Sequence, residues 1–459
     1  MAETDILTEI YNTIDPFRPL EAGDPKYVDC RAVRGDADIL VDLGREIVRS
    51  RDSTCQLYAG HRGAGKSTEL LQLKADLEKK GCFVVYFAAV GENGDIDPED
   101  AEYTDILLAC TRHLLEGLKM ADAKPLLSWL KGRLTAMKDL GLTEISLDGL
   151  SVDVGIREFA RLSTTLRAVP SERRKIRDLV NPHTVTLLQA LNEFINDAKQ
   201  KLPLGKTKLV TIADNLDRIV PIRQDDGRSN HDEIFVDRSE QLRSLDCDLI
   251  YTIPISMVYS NRANDLKDLY GNHQILPMIM VRCPDGSLNE PGLEVMRAVL
   301  AKRILDNPLV QKKMPDATLE KGIFANADLL QRLCLSSGGH VRELLLLVKE
   351  AINYTDVLPI QTRAVQRAIT TIRDTYRRTV ESDQWAILAR VAKTQRIEND
   401  DIYRALLFSR CVLEYRYFDE EGEGEGEMHC WYDAHPLIKG IAEFKTAVDR
   451  LEQATGGGA

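Results

Sequence analysis

The chain has 459 residues, 44% hydrophobic and 29% charged, with a formal net charge of −12 and a pI near 5.3. That length asks for two to four cores, and the balance is that of an ordinary globular protein. The acidity argues against a protein whose main task is coating nucleic acid, although one local basic face is compatible with it. No apolar run approaches the length that crosses a bilayer, and the start, Met-Ala-Glu-Thr-Asp, lacks the layout of a signal peptide. Nine cysteines are scattered singly without metal-ligand spacing, which fits a reducing cytoplasm.

In chain order, Asp15–Leu20 is turn-rich, and a helix is predicted from about Asp36 to Ser50. Cys55–Ala59 reads as a short apolar strand. Gly60–Thr68 (Gly-His-Arg-Gly-Ala-Gly-Lys-Ser-Thr) then satisfies G-x-x-x-x-G-K-[ST], with Gly60, Gly65, Lys66 and Ser67 at the fixed positions. A triphosphate needs this arrangement. Glycines let successive backbone N–H groups curl around the β-phosphate, Lys66 reaches the β/γ oxygens, and Ser67 offers a hydroxyl to Mg²⁺. His61, Arg62, Gly63, Ala64 and Thr68 complete the cradle. Leu70, Leu71, Leu73 and Leu77 among charged residues make Ser67–Lys80 an amphipathic helix.

Cys82–Val90 follows as an unbroken apolar strand of the kind covered on both faces. Residues 103–119 read as helix. The stretch 121–180 reads as an insertion, with a hairpin signal over Glu144–Val154 around Asp148-Gly149. A helix from about Asn181 to Leu202 leads into Leu209–Asp214, an apolar strand ending in a carboxylate. An acid at the carboxyl end of a parallel strand faces the region where ligands of open sheets collect, so Asp214 is the candidate for holding Mg²⁺ through water. The next position is Asn215, whose amide can orient water but cannot accept its proton. Asp217 is either a stand-in for that base or a helix cap.

Asp248–Ser256 supplies a third apolar strand, with Thr252, Ser256 and Asn261 as polar options at its end and Arg262 as the nearest cation. Gln274–Val281 reads as a further strand and 291–370 as helical. Ser336–Leu345 has the shape of a Gly-Gly turn and helix start that directs Arg342. Trp385–Val391 and Asn399–Phe408 read as helices, and Cys411–Phe418 pairs with Met428–Asp433 across the loop Asp419–Glu427. That loop carries six acids and no cation, which repels a phosphate backbone. It is read as a contact for a basic protein surface, a mimic of DNA, or a solvated hairpin tip. Arg390, Lys393, Arg396, Arg404 and Arg410 elsewhere in this region leave DNA contact open. No internal repeat is seen.

Gly60–Thr68, Leu209–Asp217, the strand ending near Ser256, and Gly338–Arg342 together resemble the AAA+/STAND branch of P-loop ATPases, within it the origin-recognition-like group. The resemblance spans residues 50–350. It implies an α/β P-loop NTPase parallel sheet with a helical lid and a C-terminal winged helix, and ATP with Mg²⁺ as ligands. Lys66, Asp214, Asn215 and Asp217 would serve catalysis, Ser67 and Asp214 the metal, and Arg342 would act as sensor 2. The expected organisation is an N-terminal segment 1–50, an ATPase core 51–285, a lid 286–378 and a winged helix 379–459. Two departures stand out: Asn215 replaces the usual second acid, and no arginine finger is placed, with Arg243, Arg262 and Arg303 the options. The function expected is a slowly hydrolysing ATP-dependent switch in bacterial regulation or defence, engaging a protein partner or itself, without membrane contact. A DNA-engaging ATPase and a non-hydrolysing ATP-bound scaffold are the alternatives.

Overall fold

The computed structural model describes residues 5–35, 38–133, 152–224, 227–419 and 427–456. The chain divides into two units. The sheet unit comprises Ile39–Ala59 and Leu70–Gln274; the loop unit comprises Met1–Asp38, Gly60–Glu69 and Ile275–Ala459.

The fold is α/β. β1 (Cys55–Gly60), β2 (Cys82–Ala88), β3 (Lys208–Asp214), β4 (Asp248–Pro254) and β5 (Gln274–Leu276) form one sheet in the order β2-β3-β4-β1-β5. β2 runs parallel to β3 with Cys82 opposite Lys208 and Ala88 opposite Asp214, and β3 runs parallel to β4 with Val210 opposite Asp248. β4 therefore lies between the strand that feeds the glycine-rich loop and the strand that ends in Asp214. Both central strands are buried along almost their whole length, which is why they read as continuous apolar runs instead of alternating ones. Asp248 fastens the strand starts, accepting from the Thr54 backbone N–H at 2.9 Å and from the Thr54 hydroxyl at 2.8 Å.

Helices Lys66–Lys79, Tyr103–Gly117 and Thr184–Gln200 sit close to their predicted bounds. The described part of the 121–180 stretch is helical, over Lys124–Lys131, Val152–Ala168 and Pro170–Val180. Residues 144–151 of the predicted hairpin lie outside the described residues, and from Val152 onward the chain is helix instead of strand. Arg173 and Arg177, both buried, tie this stretch to the segment after β2. Arg173 reaches Asp97 and Asp100, each at 2.6 Å, while Arg177 reaches Asp100 at 2.7 Å and Asp105 at 2.5 Å.

In the loop unit, Ile6–Thr13 is a helix that the turn-rich reading of the first residues missed; Leu7 and Ile10 bury its apolar side. The predicted strand Gln274–Val281 stops at Leu276, because Pro277 has no N–H to continue a ladder. Beyond it, Met278 N–H donates to Glu414 O at 3.2 Å and Met280 N–H to Val33 O at 3.1 Å. Helices Glu290–Ile304, Ala327–Ser336, Val341–Asn353 and Thr362–Thr379 follow, capped by Asn289, Asn326 and His340 on the first three. Gln384–Thr394 and Asp401–Phe408 precede an antiparallel hairpin of β6 (Val412–Asp419) and β7 (Glu427–Ala434), registered from Val412–Ala434 to Asp419–Glu427. Its predicted acidic tip, 420–426, lies outside the described residues. Among the described residues, no helix is long and apolar enough to cross a membrane.

Candidate functional site

Three glycines of the loop hold positive φ: Gly60 at 147°, Gly63 at 88° and Gly65 at 115°. Two are also crowded. A Cβ on Gly60 would lie 2.8 Å from Leu276 O, and one on Gly63 would lie 2.6 Å from His340 Cε1. Only glycine satisfies both the backbone and the space there. Lys66 opens the following helix, and its ammonium turns back to donate to Gly60 O at 2.7 Å and His61 O at 2.9 Å. Ser67 follows it in the first turn, and the Thr68 hydroxyl accepts from Leu20 N–H at 3.1 Å. Arg34, 3% exposed, donates to Ala64 O at 2.7 Å. Two buried cations, Lys66 and Arg34, thus lie against the loop, and a phosphate chain is the ligand that suits it.

The same loop is bonded to elements 278 to 353 residues away in sequence. His340 is fully buried. Its Nδ1 accepts from Glu343 N–H at 3.0 Å, so Nε2 carries the proton and donates to Arg62 O at 2.6 Å. Arg342 N–H reaches Gly63 O at 3.4 Å. On the other side, His61 Nε2 accepts from Glu414 N–H of β6 at 3.0 Å, and the Arg62 guanidinium lies 5.8 Å from the centre of the Phe408 ring. Burial, with Lys66 and Arg410 nearby, brings the His61 imidazole down to about 3; burial first, then Arg410, puts His340 well below its ordinary value. Both rings are neutral across the physiological range, which suits their acceptor roles. Two further glycines make close approaches feasible, Gly338 that of β6 and Gly339 that of the Ile279 backbone. Gly338 and Gly339 have φ of 61° and 74°, and a Cβ on Gly338 would lie 2.7 Å from Leu413 Cδ1. Tyr415 OH donates to Gly338 O at 2.8 Å.

The sheet unit carries the acids. Asp214 is fully buried at the carboxyl end of β3. Its Oδ2 accepts from Tyr86 OH at 2.8 Å and its Oδ1 from Asn215 N–H at 2.6 Å, which aims the carboxylate from two sides. Asn215 sits in the left-handed region (φ 66°, ψ 10°) and begins the short turn Leu216–Arg218. Asn is among the few non-glycine residues at ease there. Thr252 Oγ1 on β4 accepts from Leu216 N–H at 3.0 Å, so this one of the three predicted polar options braces the turn after Asp214. Asp217 is buried in that turn.

Other predicted residues fall elsewhere. Ser256 is buried in the short helix Ile255–Val258 and Asn261 is exposed. Arg262 pairs with Asp237 at 2.6 Å and Asp265 at 2.8 Å. Arg243 lies over the Tyr270 ring. Arg303, 7% exposed, donates to Val299 O at 2.8 Å inside its own unit, a poor position for reaching a neighbouring subunit. Arg342 donates from Nε to Pro16 O at 3.1 Å, with its guanidinium 5.5 Å from the centre of the Phe17 ring. Arg34, Tyr86 and Glu414 went unnoticed in the sequence. None belongs to a local pattern; each is brought to its partner by chain 30 to 353 residues distant.

No family model matches the chain, and no curated protein matches it. Solved structures do. The Aeropyrum pernix ORC1 protein in complex with DNA is similar at 13% identity and a TM-score of 0.38, over 98% of this chain and 97% of that one. The Aeropyrum pernix ORC2 protein, with ADPNP and ADP, is similar at 11% identity and a TM-score of 0.42, over 97% and 98%. A Walker-type ATPase of Pyrococcus abyssi is similar at 12% identity and a TM-score of 0.41, over 95% and 99%.

Proposed function

We propose that the protein is an ATP-dependent molecular switch of the AAA+/STAND kind, hydrolysing slowly and engaging a protein partner or a second copy of itself. The observation that carries this reading is the bonding of the glycine-rich loop, through His61, Arg62 and Gly63, to His340, Arg342 and Glu414. A loop so tied cannot change its backbone around a nucleotide without stressing those three bonds. A nucleotide that tightens or loosens them shifts the equilibrium between arrangements of the C-terminal elements by its differential affinity.

The residues fit Mg²⁺-bound ATP. Gly60–Thr68 would cradle the phosphates, and Lys66 would exchange its two carbonyl partners for phosphate oxygens. Charged hydrogen bonds of this type are worth roughly 1.5–3 kcal/mol each. Ser67 and Asp214 are the hydroxyl and carboxylate suited to the metal, which neutralises charge on the phosphates when bound. Asn215 orients water without taking its proton, and Asp217 is the nearest acid in sequence to serve as base; this division makes turnover slow. The hairpin and preceding helices are read as a winged helix, and a cytoplasmic regulatory or defence role suits such a switch. The amide of Asn215, which cannot take a proton from water, also favours a second reading, a scaffold that holds ATP without hydrolysing it.

The test is ATP hydrolysis by wild type and Lys66→Ala, with and without duplex DNA, with solution mass followed in parallel. Turnover that is lost in Lys66→Ala, indifferent to DNA and linked to a change in mass supports the switch. Strong stimulation by DNA replaces it with a DNA-engaging ATPase. Binding without turnover leaves the scaffold.

A further inference from the structure

Far along the chain from the glycine-rich loop, the loop unit contains a cavity of about 520 Å³. Its wall comes from three places: Arg282 on the turn after β5, Asp328, Gln331 and Arg332 on helix Ala327–Ser336, and Asp433 and Lys439 at and beyond the end of β7. Three cations face two carboxylates. Asp433 is committed to Lys439, whose ammonium it holds at 2.6 Å through Oδ2, while its Oδ1 has no protein partner. Arg282 is fixed by donation to Gly286 O at 2.8 Å in a turn closed by Cys283 and Ser287.

Next to Lys439 a further guanidinium is packed, with Asp374 as its nearby acid. The Arg373 guanidinium packs on Gly440, so closely that a Cβ there would lie 2.4 Å from its Cζ, and its Nε is buried without a partner. Burial first, then Arg332 and Arg377, lower its proton affinity. Nothing in the proposed switch uses these side chains. Like charges gathered around a cavity raise the energy of the unliganded state, and an anion is what relieves it.

We propose that this cavity binds a small phosphorylated metabolite, its phosphoryl group held by Arg282, Arg332 and Lys439 and its hydroxyl or amino donors by Asp328 and Gln331. Guanidinium groups match phosphoryl oxygens in geometry as well as charge. The volume suits a sugar phosphate or a mononucleotide and lies in the range of small-molecule sites. A duplex backbone fits less well, because Asp328 and Asp433 in the same wall would face its phosphates.

The probes are ribose 5-phosphate, AMP and inorganic phosphate, titrated calorimetrically into Lys66→Ala, in which the glycine-rich loop is disabled. The same titrations are run on Lys66→Ala carrying Arg332→Ala or Lys439→Gln; Arg332 is exposed and the Lys439 side chain 39% exposed, so both changes leave the core intact. Saturable one-to-one binding of an organic phosphate, weakened about tenfold or more by each added substitution, is the expected result. Arg332→Ala alone should hydrolyse ATP as the wild type does. Equal binding in all three proteins overturns the proposal, as does no saturable binding below roughly 1 mM or salt-sensitive binding of duplex DNA alone.

Discussion

His61 shows how much one side chain can decide. It belongs to the phosphate loop, yet its Nε2 is spent on the backbone N–H of Glu414, and its proton affinity falls to about 3. His231, buried against Ile219 O, falls to about 4, and His340 and His435 fall well below the ordinary value, burial leading in every case. In the unfolded chain each would titrate near 6.5. Between the two values the unfolded state binds more protons, so stability is intact above about pH 6.5 and falls as pH drops toward 4. Well below pH 6.5 each of the four adds at most one proton's worth of slope, on the order of 1 kcal/mol per pH unit. Denaturant midpoints measured from pH 7.5 down to 5 should therefore decline steeply below 6.5; a flat profile would show these rings charged in the native state. At the loop itself, Lys66→Ala should lower ATP turnover by roughly a hundredfold or more, the usual effect of losing a transition-state donor.

Two elements are fastened by buried polar bonds. The segment after β2 is clamped by Arg173 and Arg177, and Arg177→Met would strand the buried Asp105 carboxylate. That is expected to cost about 3–5 kcal/mol, readable by chemical denaturation. The β6–β7 hairpin is the other. Tyr415→Phe removes the donor to Gly338 O and leaves that carbonyl buried, a loss of about 1–3 kcal/mol. If the hairpin restrains the loop, release of a fluorescent ADP analogue should also speed up severalfold in this variant; unchanged release alongside reduced stability would detach the hairpin from the nucleotide. What could be read in advance at this scale follows from range. β1 to β4 announced themselves because parallel strands covered on both faces are apolar throughout, and Gly60–Ser67 because phosphate chemistry fixes its spacing. The helix Ile6–Thr13 was readable from Leu7, Ile10 and Ile14 and was overlooked beside the turn signals that follow it. Pro277 marked where β5 stops. Tyr86 beside Asp214, Arg34 beside Ala64 and Glu414 beside His61 were not readable, since each pairing is made by the fold over long sequence distance.

For the molecule as a whole, one imidazole has an unusual standing. His340 caps the helix Val341–Asn353 through Nδ1 and grips Arg62 O through Nε2, so its tautomer is locked by two bonds that answer to different parts of the chain. Such a ring is a built-in spectroscopic gauge. Its buried Nε2 proton should exchange slowly with solvent and give a resolved signal in ¹⁵N-imidazole spectra without any label attached to the loop. Nucleotides that pull Arg62 away would shift or erase that signal while leaving the Nδ1 cap in place. Those that leave the backbone alone would not. The conformational equilibrium of the switch could then be titrated directly, state by state, through a nitrogen the protein already carries.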